Sequence, residues 1–162
     1  MTSVSGLTEV VAEATLTPKP RAVSYAARLR DLDVLPRSSG RAVAHVDNDH
    51  AIALLLACAL APLPRETGRT VRKYADLTCH SDRAVSLTRL LEREMDRSAA
   101  GDHSVTEIVL LHEEPAALVR LELDGEEQTL RFGDGDDWPA LPRRTLIHVY
   151  GDAFATVARS LT

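Results

Sequence analysis

Aromatic side chains are scarce in this chain, which has one Trp, three Tyr and two Phe. A pocket for a planar ligand draws heavily on such side chains, so the sequence gives no motive for a ligand-sensing role. Cysteine is scarcer still, with Cys58 and Cys79 far apart. Cys58 sits inside an apolar run where a small buried thiol is the usual occupant, and no disulfide framework is expected. Long hydrophobic runs are lacking too: the longest uncharged stretch, Ala51 to Pro64, falls short of the roughly 18 residues needed to span a bilayer. With no signal-peptide pattern, the chain reads as soluble and cytoplasmic. Internal repeats and low-complexity tracts are absent. So is any cluster of acids and histidines at a spacing that would build a hydrolase or nuclease site, and neither enzymatic activity nor a cofactor is expected.

What is there is enough apolar material to bury a core: 162 residues, 44% of them hydrophobic. The net charge of -5 argues at first against nucleic acid. The charge is unevenly spread, however. Residues 1–100 are net +2 and residues 101–162 net -7, and within 17–46 six basic side chains stand against two acidic ones. The acid belongs to the C-terminal third and a modest basic patch to the N-terminal region.

Helical periodicity governs the first part. "GLTEVVAEATLTPKP" places Val10, Val11 and Ala14 on one face, then breaks at Thr15, Thr17 and Pro18. From Arg21 to Leu32, Ala22, Tyr25, Ala26, Leu29 and Leu32 recur at three and four, with Arg21, Ser24, Arg28 and Asp31 opposite. One side of this helix is expected to pack and the other to be largely basic. "DVLP" ends it, and "RSSGRAVAHV" predicts a tight turn with a short extended arm. Asp47 or Asn48 can then cap a helix through "HAIALLLACAL", apolar nearly all round, either as a core helix or as a dimer interface. A polar helix follows over Arg65 to Thr78 and another over Asp82 to Met95, with "DRSAAGDHS" (96–104) as a linker. The period then changes. "EIVLLH", "ALVRLEL", "QTLRF" and "RTLIHVY" read as strands and "DAFATVARSL" as a final helix.

The short helix, the turn, the basic amphipathic helix ending in Asp33-Val34-Leu35-Pro36 and the turn Gly40-Arg41-Ala42-Val43-Ala44-His45-Val46 together resemble the winged helix-turn-helix of the MerR-type family. The likeness spans about residues 6–62 and is nearest to compact phage or prophage-like DNA-binding regulators. Asp33 stands where that family usually has Gly, and Ala27-Arg28-Leu29 where it commonly has Arg-Tyr-Tyr. The resemblance implies a second helix in the major groove and a wing on the phosphate backbone. The family's long dimerisation coiled coil is not evident.

The fold class expected is therefore α+β. A mostly helical winged helix-turn-helix region with supporting helices occupies 1–98, and an acidic association domain, a small antiparallel sheet with a C-terminal helix, occupies 105–162. The function expected is a sequence-specific transcriptional regulator, bound to the bacterial nucleoid when engaged and acting as a homodimer on double-stranded DNA. Lys19, Arg21, Ser24, Tyr25, Arg28, Arg30, Arg37, Arg41 and His45 are the candidate contacts. Against this stands a solvated helix face with no ligand. Two alternatives stay open: a protein-binding inhibitor or adaptor acting through the acidic domain, and a phage recombination or packaging accessory. "HVDNDH" gathers His45, Asp47, Asp49 and His50, but its spacing fits no zinc or calcium loop and a helix cap accounts for the acids. "GDGDDW" lacks a calcium loop's ligand pattern, and Cys79-His80 has no partner pair at zinc spacing, so no metal is expected.

Overall fold

Four of the six α-helices among the described residues begin at a side-chain cap or a proline. Ser3 starts α1 (Val4–Ala14), its Oγ accepting from the Gly6 N–H at 3.1 Å. Thr15 to Pro18 break the chain, with Leu16 in the left-handed region at φ 54°. α2 (Lys19–Asp31) follows, carrying Pro20 in the first turn, where a missing N–H leaves no bond unmade. Its C-terminal turn closes through Asp33 at φ 56°, with the Val34 N–H returning to the Leu29 carbonyl at 2.9 Å. Asp33 thus holds a left-handed position, which Asp tolerates better than most side chains.

The computed structural model describes residues 2–37, 44–102, 104–112, 114–133 and 145–162. Gly40 to Val43 of the expected wing, and most of the "GDGDDW" turn, lie outside the described residues.

Asp47 is the cap of α3 (Asn48–Leu60): its carboxylate accepts from the His50 N–H and the His50 ring accepts from the Asp47 N–H. Nine residues of α3, including Ile52, Leu54, Leu55 and Leu56, are buried. It is the central core helix, packed by α1, α2, α5 and α4 (Thr67–Ala75), which leaves its apolar faces covered within one chain. α4 buries Thr67, Val71 and Tyr74, one every three or four residues, and the Tyr74 hydroxyl donates to the Leu111 carbonyl.

The helix expected from Asp82 begins five residues later, as α5 (Leu87–Ala99). Asp82 accepts from the Ala84 N–H at 3.0 Å, a local bond that competes with helix, and Ser86 supplies the cap instead. At its other end α5 runs on into the expected linker as far as Ala99.

The sheet is antiparallel with order β3-β2-β1-β4, made of β1 (Val105–Leu111), β2 (Ala116–Leu123), β3 (Glu126–Phe132) and β4 (Leu146–Tyr150). Side chains alternate across it. Ile108, Leu110, Ala117 and Val119 face the main core, while Val109, Leu111, Ala116 and Leu118 make a smaller cluster on the other side. α6 (Gly151–Arg159) closes the chain, burying Phe154 and Val157 against α1, α5 and β1. The architecture is α+β: six helices with a four-stranded antiparallel sheet among the described residues. The expected division into 1–98 and 105–162 does not separate two cores, because Leu7, Leu54, Val119 and Phe154 belong to one apolar cluster. No helix among the described residues is long and apolar enough to cross a membrane.

Candidate nucleic-acid interface

α2 presents two different surfaces. Ala22, Tyr25, Ala26 and Leu29 are buried against α1 and α3, whereas Pro20, Val23, Ser24 and Ala27 are exposed. The sequence placed Tyr25 among both the packing residues and the contact residues, and only the first placement holds. Its ring is 1% exposed and its hydroxyl donates to the Pro62 carbonyl at 2.9 Å. Leu32, assigned to the packed face, is 39% exposed because it lies beyond the last helical turn.

Several of the candidate cations already have partners. Lys19 meets Glu9 at 2.5 Å; this bond and charge raise the lysine's pKa and lower that of Glu9. Arg21 donates to the Tyr25 hydroxyl at 2.8 Å and the Ala61 carbonyl at 3.1 Å. Arg37 reaches back to the Arg30 and Asp31 carbonyls and to the Asp33 carboxylate, so it caps the C-terminus of α2, where unpaired carbonyls and the helix dipole favour a cation. Ser24 is exposed, Arg28 and Arg30 are half-buried, and His45 is exposed with its backbone paired to Ser3 in an isolated antiparallel bridge. Arg41 lies outside the described residues.

A second group of cations was missed. Arg65, Arg69, Arg72 and Lys73 are exposed on α4 and on the short 3-10 turn before it (Pro64–Glu66). With Arg28, Leu32, Gly68 and Asp76 they line one surface groove between α2 and α4. Gly68 lets the helices approach, since a Cβ there would stand 2.2 Å from the Leu32 Cδ1. Five cations and one acid thus border the groove. Among the described residues Arg69, Arg72 and Lys73 have no acidic partner, and Arg65 has only Glu66 at 3.8 Å. The signal was present in "RETGRTVRK", where Arg65, Arg69, Arg72 and Lys73 fall at helical spacing. Reading the segment only as polar lost it.

The "HVDNDH" motif resolves into helix capping and an acidic neighbourhood. Asp47 and His50 form the cap, and Asn48 donates to the Asp96 carboxylate at 2.7 Å. Glu92 shares a hydrogen bond with Asp49; that bond, burial and the nearby charges of Asp49, Asp47 and Asp96 push its carboxyl up to about 7. No group of three or more His, Cys, Asp or Glu among the described residues is arranged to hold a metal ion. A folded-state pKa raised above its unfolded value contributes stability that is complete below the unfolded value and lost as pH rises through the folded one. Urea unfolding between about pH 5 and about pH 8 is therefore expected to show wild type losing on the order of 1 kcal/mol relative to Glu92→Gln, allowing for solvent screening. Parallel curves for the two proteins would remove Glu92 from the account.

Cys58 is buried, and burial pushes its thiol up to about 12. Cys79 is buried as well. Neither has the exposed, electropositive setting of a reactive thiolate. No protein-family model, curated protein or solved structure matches the chain.

Proposed function

We propose that the chain is a sequence-specific DNA-binding transcriptional regulator that acts as a homodimer, with α2 as the helix that enters the major groove. The observation that carries this reading is the outward face of α2. Pro20, Val23, Ser24 and Ala27 are exposed and uncharged, with Asp31 exposed at the C-terminal end of the same face, while the opposite face is fixed in the core. A groove about 12 Å wide admits a helix most closely where its side chains are short. On that face a serine hydroxyl can bond base edges and the Val23 and Ala27 methyl groups can meet a thymine methyl. Arg28 and Arg30 flank the face with positive charge. The Ser3–His45 bridge supports a wing, since it ties the segment just before α3 to the start of α1. Reading with one short helix gives few base contacts, which is the reason for expecting two copies on neighbouring half-sites.

Selection of full-length protein against a pool of random duplexes over a range of salt tests the proposal. The expected result is enrichment of a two-fold symmetric site whose affinity falls steeply as salt rises. Failure to retain any duplex at low salt would overturn it and turn attention to a protein partner for the acidic C-terminal third.

A further inference from the structure

We infer that the groove between α2 and α4 is a track for the DNA phosphate backbone, so that the protein holds DNA through α4 as well as reading it through α2. The inference rests on the reading above but on different residues. Three observations carry it.

The first is charge. Arg65, Arg69, Arg72 and Lys73 stand exposed with Arg28 around a single groove, against Asp76 alone. Holding like charges together is unfavourable unless a polyanion neutralises them, and a phosphodiester strand supplies regularly spaced single charges. The second is an unmet donor. Among the described residues the Arg28 Nε is buried and has no hydrogen-bond partner. Buried polar atoms are nearly always paired, so a turn of this half-buried, groove-lining side chain that brings the Nε to an acceptor is favoured, and a phosphate oxygen is a strong one. The third is geometry. Gly68 lets α4 come close to Leu32 at the end of α2, so the cations of the two helices form one surface. Contacts of this kind set affinity and register without reading sequence.

The test compares wild type with Arg69→Gln/Lys73→Gln in the full chain, on a site obtained by selection and on an unrelated duplex of equal length. Both residues are exposed and do not touch the core, and matching melting curves will show that the variant is folded. The variant is expected to lose affinity by the same factor, tenfold or more, on both duplexes. The slope of log affinity against log salt should become shallower by about 2, one counterion for each cation removed. Unchanged affinity and slope, with wild type still selecting a site, would overturn the track while leaving α2 as the reader. A loss confined to the selected site would overturn it too, by making these residues readers of bases. Wild type binding neither duplex at low salt would overturn the track and the DNA reading together. Tighter binding of double-stranded RNA than of DNA, lost in the same variant, would overturn the assignment to DNA.

Discussion

Glu94→Ala is expected to lower the free energy of unfolding by about 3 kcal/mol, read from urea denaturation near neutral pH. Glu94 is completely buried on α5 and ties together three groups. One carboxylate oxygen accepts from the Arg93 Nε at 2.9 Å. The other accepts from the Ser104 hydroxyl and lies 3.6 Å from Arg97. Ser104 is itself 1% exposed and immediately precedes β1, so the carboxylate latches the helical region to the first strand. Truncation leaves a buried hydroxyl without its acceptor and two arginines facing a void. Both arginines keep some contact with solvent, and Arg97 keeps Asp102 at 2.7 Å, which holds the loss to the lower end of what breaking a buried ion pair costs. Glu94→Gln retains acceptors for Ser104 and is expected to lose roughly half as much. If both variants unfold within about 0.5 kcal/mol of wild type, the latch carries no stability.

Gly151→Ala is expected to cost about 3 kcal/mol, seen as a large drop in melting temperature. Gly151 is the first residue of α6, entered directly from β4. A Cβ there would stand 2.1 Å from the Val105 carbonyl oxygen and 3.1 Å from the Thr106 Cα. These are backbone atoms at the start of β1, where Val105 pairs with Leu121 of β2 and Thr106 sits in the irregularity before Glu107, so relieving the overlap means moving backbone rather than turning a side chain. Gly68→Ala makes the control. Its Cβ would meet only the tip of Leu32, a partly exposed side chain free to change rotamer, and a loss below about 1 kcal/mol is expected. Equal losses at the two glycines would show that the crowding at Gly151 is relieved elsewhere.

Much of the fold was legible because its elements repeat simple periods. The i, i+3, i+4 spacing of Ala22, Tyr25, Ala26 and Leu29 marked the buried side of α2, and the short runs of strand-forming residues in β1 and β2 marked the sheet. Local side-chain bonds were harder to anticipate: Asp82 holds its own turn and moves the start of α5 to Leu87. Glu94 falls on the same stripe as Leu87, Leu91 and Met95, so its burial was written in the spacing but hidden by its charge. The candidate interface was legible in part. Spacing along one helix picked out Ser24 and Arg28. It could not reveal that Arg37 folds back onto the end of α2, or that α4, more than thirty residues further along the chain, brings its arginines beside Arg28. Those are facts of three-dimensional proximity.

α1 rests on α6, and the Thr2 hydroxyl donates to the Ser160 carbonyl, so the first helix and the last complete one another. During synthesis α1 leaves the ribosome long before α6 exists. α1, which packs against α2, therefore keeps its α6 side uncovered until the residues of α6 have been made. A chain stopped before α6 would carry every residue of α2 while one side of the helix beneath it stayed uncovered.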